Sequence, residues 1–400
     1  MNLLLLAPVL LLLPAVAGNC ECSGASGRVK GHGVRCASWD APDEKPWCYV
    51  DEGACGDSTF EGNPGDFWSH VPCKDVAGGK VPAAAAATAG TTTAKKGRVA
   101  IAITLTKDGS GSDYYLDGAA VLKQSMEQTN SAWDVDFIAI VHPSVKTARA
   151  PLVKLGYKIY EKKWPFDSSG IQKAHLRETI DKSGCCGMAE LIKLSAWEMV
   201  QYHRVMLLDS DSLVLHNVDE LFDTTWDFLF TYDRNMDGSW SSHPPVQGGF
   251  FVLKPDLARY KQLEDTVREG DFREGSGWGG ENVGWCYGGQ TIQGLLSYYA
   301  NFMRPVSESK EMDSAIYNNM ASNVNAKGRK QNTVPASEIK IGHFTTCQKP
   351  WKVCYKSAPT CQGMFDHWWQ ARRALETKHG MKPTARCANG AYAPIKMDEL

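Results

Sequence analysis

The sequence has no excess of basic residues: 43 Lys and Arg stand against 45 Asp and Glu, a formal net charge of −2. That excludes the broad electropositive face by which proteins hold nucleic acid or an anionic bilayer. Beyond its first residues it has no apolar run near the roughly 20 residues needed to span a membrane. It also lacks any Asn-x-Ser/Thr sequon, so there is no acceptor for an N-linked glycan. What is present is ordinary and globular: 400 residues, 43% hydrophobic and 22% charged, enough for two domains.

The first residues, MNLLLLAPVLLLLPAVAG, read as a secretory signal. The apolar stretch is short, Pro14 breaks it, and Ala15-Val16-Ala17 supplies a small-residue cleavage pattern, although a positive n-region is missing. Removal of residues 1–17 would leave a mature chain without a transmembrane segment, in a secretory lumen or outside the cell. Thirteen cysteines suit that oxidising setting. Cys20, Cys22, Cys36, Cys48, Cys55 and Cys73 fall in a Gly-rich module over 18–76 that is too short to build a core alone. Three disulfides are favoured there over a zinc site, with connectivity open. Its string KPWCYVDEGAC is similar to the Trp-Cys-Tyr stretch of kringle and fibronectin type II modules, which implies a small binding module. Seven further cysteines (Cys185, Cys186, Cys286, Cys347, Cys354, Cys361, Cys387) lie in the body, an odd number. Residues 77–97, AGGKVPAAAAATAGTTTAKKG, have the composition of a flexible linker. The last four residues, MDEL, resemble a KDEL-type retrieval signal, which implies residence in the endoplasmic reticulum.

Between linker and tail, over 98–396, apolar segments alternate in type. RVAIAITL (98–105), DVDFIAIV (134–141), VMLLD (205–209) and QGGFFVLKP (247–255) read as strands. GAAVLKQSMEQT (118–129) and MAELIKLSAWEMVQYH (188–203) read as helices, the second from Met188, Ile192, Ala196, Met199 and Val200 at helical spacing. Such alternation predicts an α/β fold with a mainly parallel sheet, flanked by helices and binding ligands at the carboxyl ends of its strands. Asp209 and Asp211, with Ser210 between them, stand at one such end. Paired carboxylates there can share a hard divalent cation, which keeps open positions for phosphate oxygens. The alternative is that they cap the following turn.

The whole stretch LIKLSAWEMVQYHRVMLLDSDSLVLHNVDELFD (191–223) resembles glycosyltransferase family 8, the glycogenin-like enzymes. ITLTKDGSGSDYYLDGAAVL (103–122) is similar to that family's first strand and nucleotide loop, and GHFTTCQKPW (342–351) to its late His-x5-Lys-Pro-Trp signature. The resemblance spans about 98–352 and implies a GT-A fold, a UDP-sugar donor, Mn²⁺ or Mg²⁺, and transfer to a glycan or glycoprotein acceptor with retention of anomeric configuration. Carried over by position, Asp209, Asp211 and His343 would be metal ligands. Lys349 would offset charge on the departing UDP, Lys193 would hold donor phosphate or sugar, and Leu105 and Tyr115 would frame the uracil. Ser210, Gln247 and Gly248 complete the implied donor site. Three departures stand out: Thr346 and Cys347 replace a family glycine near the diphosphate, and Gln247-Gly248-Gly249 replaces an Asn-Ser-Gly. YGGQTIQGLL (287–296) lacks the family's sugar-contacting Asp, leaving Gln290 or Gln293 to orient the sugar. Trp278, Trp285, Trp368 and Trp369 are candidates for an acceptor groove. Two other functions stay open: a catalytically weak carbohydrate-binding member, and a sugar nucleotidyltransferase.

Overall fold

The computed structural model describes residues 48–50, 59–60 and 67–69 and, from 95 onward, all but 109–113, 165–166, 185, 237–242, 324, 327–328 and 388–390. The leader, residues 77–94 of the linker and most of the cysteine-rich module lie outside the described residues. The linker's last residues join the chain that follows, with Lys96 N–H donating to Ala132 O at 3.2 Å and Gly97 O accepting from Asp134 N–H at 2.8 Å. Within that module Cys48–Val50, Thr59–Phe60 and Phe67–Ser69 form a three-stranded antiparallel sheet. The chain divides into two compact units, Met1–Ala94 and Lys95–Leu400.

The second unit is an α/β domain on a seven-stranded sheet. Its strands, in spatial order, are Ser309–Glu311, Phe228–Tyr232, Val246–Leu253, Val205–Leu208, Arg98–Leu105, Asp134–Val141 and Lys158–Glu161. Pairing is parallel from Val205–Leu208 outward through Lys158–Glu161 and again at Ser309–Glu311; Val246–Leu253 runs antiparallel to both its neighbours. The mainly parallel sheet and flanking helices are the α/β arrangement that the sequence predicts.

Because strand side chains alternate between faces, each strand feeds two cores. Val99, Ile101 and Ile103 join Met206, Leu208, Phe250 and Val252 under the helices Tyr115–Gln128 and Pro359–Lys378. Ala100, Ala102, Val205, Leu207, Phe251 and Leu253 lie on the other face, under Gly187–Glu198, Leu257–Glu269 and Ile292–Tyr298. Each fully buried aliphatic or aromatic side chain there is worth about 1.5–3 kcal/mol. Trp278, Trp368 and Trp369 are spent in these cores, so of the four tryptophans proposed for an acceptor groove only Trp285 is exposed.

One helix departs from expectation. The segment read as α-helical over 188–203 is a 3₁₀ helix, Gly187–Glu198, and Val200 beyond it is exposed. Apolar periodicity cannot distinguish the two windings here, because Leu191, Ile192, Leu194, Ala196 and Trp197 are buried around the whole circumference. The tighter winding has a consequence: side chains three apart eclipse, which stacks Glu190 directly on Lys193. Among the described residues no helix is long and apolar enough to cross a membrane.

Candidate functional site: a carboxylate and imidazole cluster in a cleft

The strand Val205–Leu208 delivers Asp209 to the carboxyl edge of the sheet, where its N–H donates to Gly249 O at 3.1 Å. The chain then turns through Ser210 and Asp211 into a short strand, Ser212–Val214. That strand pairs antiparallel with Ile341–His343, placing His343 opposite Ser212. Phe344 N–H closes the arrangement on Asp211 O at 2.9 Å. The pairing thus brings two distant motifs to one spot. One ligand atom from each of Asp209, Asp211 and His343 lies within 4.8 Å of the others.

A chain of hydrogen bonds fixes the imidazole. Gln247 Oε1 accepts from Gly249 N–H at 2.6 Å and from Asn318 Nδ2 at 3.4 Å, and Asn318 Nδ2 also donates to Thr231 Oγ1 at 2.9 Å. The Asn318 carbonyl oxygen is therefore turned to His343 Nδ1, 3.2 Å away, which must donate to it. A neutral His343 then presents the Nε2 lone pair to Asp211 Oδ1 at 3.3 Å and Asp209 Oδ2 at 3.9 Å. Acceptors facing acceptors in a buried place favour a cation among them, either a proton or a metal ion.

The donor set fits a metal. Two carboxylates and one imidazole suit Mn²⁺ or Mg²⁺ and leave positions for phosphate oxygens. Space is kept as well: a Cβ at Gly249 would lie 2.5 Å from His343 Cε1 and 2.6 Å from Asp209 Oδ2. Gly249→Ala should therefore abolish metal affinity with no change in charge, which Mn²⁺ titration of the folded variant would read. A variant that binds Mn²⁺ as the parent does would show that the ion does not sit among these three groups. Gly118 is needed for another close approach, since a Cβ there would lie 2.3 Å from Ser210 O and 2.8 Å from Trp351.

Two ammonium groups flank the carboxylates. Lys193, buried, meets Glu190 Oε2 at 2.7 Å, Asp209 Oδ1 at 3.0 Å and Gly248 O at 3.0 Å. Burial opposes its charge, but Asp209 and Glu190 outweigh that and hold the ammonium protonated far above the usual lysine range. Lys349 ion-pairs with Asp211 and donates to Phe344 O. Burial pushes the Asp211 carboxyl up, yet His343 and Lys349 reverse this and leave it well below the ordinary carboxylate range. At Asp209 burial wins, aided by the charge of Asp211, and the carboxyl is raised despite Lys193 and His343. One carboxylate of the pair is thus held ionised while the other lacks full compensation.

These groups line a cleft of about 750 Å³, together with Leu105, Tyr115, Ser210, Gln247, Gly248 and Gln293. Tyr115 meets Trp351 edge-on, with ring centroids 5.9 Å apart. Of the two glutamines offered for orienting a sugar, Gln293 faces the cleft. Gln290 is absent from its walls and donates to Thr179 Oγ1 at 2.7 Å. The Gln247 Oε1 is committed to Gly249 and Asn318, so toward a ligand the side chain has only its Nε2 amino group to donate. Cys347 is disulfide-bonded to Cys361, tying the Lys349 loop to the helix Pro359–Lys378. A second disulfide, Cys354–Cys387, lies further along. Glu190 and Asn318 were not anticipated. Glu190 had one signal, its spacing of three from Lys193; Asn318 had none, because its role exists only once His343 is in place.

The site is thus a set of paired carboxylates, an imidazole and two lysines at the carboxyl edge of an α/β sheet. The chain's similarity in sequence is to the glycogenins. Glycogenin-1 of Mus musculus is 26% identical over 248 residues, 61% of this chain and 64% of that protein. Glycogenin-2 of Homo sapiens is 27% identical over 271 residues, 64% of this chain and 48% of that protein. Glycogenin-1 of Caenorhabditis elegans is 32% identical over 197 residues, 49% of this chain and 39% of that protein. The aligned part is less than two thirds of each of these relatives. No family model matches the sequence. Among solved structures, the galactosyltransferase LgtC in complex with donor and acceptor sugar analogs overlays with a TM-score of 0.43 at 14% identity, over 69% of this chain and 96% of that one. That overlay is too loose to bear on the site. The chain is glycogenin-like in its sequence, as its three motifs imply.

Proposed function

We propose that the protein is a retaining glycosyltransferase that moves a sugar from a UDP-sugar donor to a glycan or glycoprotein acceptor. The observation that carries this reading is the meeting of Asp209, Asp211 and His343 within 4.8 Å, between two lysines in a cleft. In such a reaction the bond from the anomeric carbon to the UDP oxygen breaks. A bond from that carbon to an acceptor hydroxyl oxygen forms on the same face, and the hydroxyl proton leaves with the diphosphate. Asp209, Asp211 and His343 would hold Mn²⁺ or Mg²⁺, which supplies positive charge to the diphosphate as it departs. Lys349 adds a second positive charge from the protein itself, preset before the bond breaks. Lys193 is enclosed by Glu190, Asp209 and Gly248, so its part is to hold Asp209 in place as much as to meet the donor. Gln293 offers an amide where the family carries a carboxylate, and orients donor hydroxyls by hydrogen bonds.

The test is UDP release. Purified protein incubated with Mn²⁺ and a panel of UDP-sugars should release UDP from at least one donor, and EDTA should abolish the release. Saturable sugar binding without release would favour a carbohydrate-binding protein. Formation of UTP from a UDP-sugar and pyrophosphate would favour a nucleotidyltransferase.

A further inference from the structure

Residues 397–400 were read as a retrieval tail, a role that asks only that the segment be accessible. The structure gives it a second place. Pro394, Ile395 and Met397 line the same cleft as Asp209, Asp211 and His343. Ile395 is buried, and Tyr392, Met397 and Leu400 pack against the core under the helix Tyr115–Gln128. Asp117, in the first turn of that helix, is the anchor: its Oδ2 accepts from Tyr392 Oη and from Ile395 N–H, the latter at 2.8 Å. The Tyr392 ring lies 5.2 Å from Tyr114 and packs on Trp368 and Trp369 at 6.1 and 5.8 Å. Arg372 sits 5.0 Å from the centroids of both Trp369 and Tyr392.

Asp117 therefore joins two parts of one wall. The residues just before and beside it in the chain, Tyr114, Tyr115 and Leu116, line the cleft on the helix side, and the segment it grips lines the cleft next to them. Burial pushes the Asp117 carboxyl up to about 6, Glu376 adds to this, and the hydrogen bonds from Tyr392 and Ile395 with the charge of Arg372 act against it. Losing the segment would remove both donors from a buried carboxylate, so the attachment is strong on both sides.

We propose that Tyr392–Met397 forms the wall of the cleft at the nucleotide end, making the segment part of the donor-binding site. This rests on the nucleotide-sugar reading above.

The test is calorimetric titration of UDP, with saturating Mn²⁺, into the full chain, the Met397→Ala variant, and a chain lacking Met397–Leu400. Both changes should weaken UDP binding by about tenfold, the factor that corresponds to losing one buried apolar side chain's contact with a ligand. Neither change touches the Asp117 anchor, so folding survives, and Met397→Ala is the milder should the shortened chain fail to fold. Hydrogen exchange over residues 391–397 of the full chain should slow several-fold when UDP and Mn²⁺ are added. Parent protein that binds UDP while Met397→Ala binds it equally well, with exchange unchanged, would overturn the proposal and leave the function standing. Parent protein that does not bind UDP at all would overturn both.

Discussion

Asp211→Asn should leave a folded protein whose UDP release falls by on the order of 10²–10³-fold or more. The fold should survive because the new amide satisfies the old contacts. Its oxygen can accept from Lys349, and its NH₂ can donate to the Nε2 lone pair of His343, which at present faces a carboxylate 3.3 Å away. The exchange gives up the ion pair with Lys349, so the metal-free variant should melt somewhat below the metal-free parent while remaining folded. What it loses is charge. Hard cations favour several anionic oxygens, and Asp209 with an imidazole is a poor set without the second carboxylate. The signature is a parent that gains thermal stability on adding Mn²⁺ and a variant that does not. A folded variant with unchanged metal response and unchanged turnover would mean that the pair serves only the turn.

Lys193→Met should strongly destabilise the protein. The ammonium is buried and compensates two carboxylates, Glu190 at 2.7 Å and Asp209 at 3.0 Å, while also meeting Gly248 O. Methionine keeps the stem's volume but strands both anions; breaking a buried ion pair from one side costs about 3–5 kcal/mol. That is a large part of the 5–15 kcal/mol by which domains are typically stable. The deficit has a definite pH dependence. Without Lys193, both carboxyls titrate above their unfolded values, so the variant's stability is fullest in acid and is lost as pH rises through those raised values. In the parent, Glu190 is held below its ordinary value by Lys193 despite burial, so its contribution is present at neutral pH and lost in acid. The gap between the two proteins in urea denaturation should therefore be wider at pH 8 than at pH 5. A constant gap would mean that Lys193 acts through packing alone.

Much of the frame was legible in the sequence because burial there has a simple period or none. RVAIAITL and DVDFIAIV are strands over the predicted residues, and the helix expected at 118–129 runs Tyr115–Gln128. Both strands lie inside the sheet with helices on each face, so their uniform apolarity says what they are. The winding of Gly187–Glu198 was not legible, since a helix buried on every side carries no stripe. The pairing of Ser212–Val214 with Ile341–His343 was not legible either. Strands of three residues have too little pattern to be seen, and their register is set by the hydrogen bonds around Asp211 and Phe344. His343 was reached through a motif rather than through that pairing. Met397 was read by its resemblance to a sorting signal, and nothing local marks it as part of a cleft wall that Asp117 creates. Gln290 and Gln293 differ by three residues; their opposite fates follow from the loop before Ile292–Tyr298, whose course no periodicity encodes.

The central claim is that a single cation site is built from Asp209, Asp211 and His343 and is completed by a nucleotide diphosphate. Electron paramagnetic resonance of Mn²⁺ titrated into the purified chain, with and without UDP, tests it most directly. The account predicts one bound ion per chain, held more tightly when UDP is present, and no such site in Asp211→Asn. Several weak sites that ignore both UDP and the substitution would contradict it.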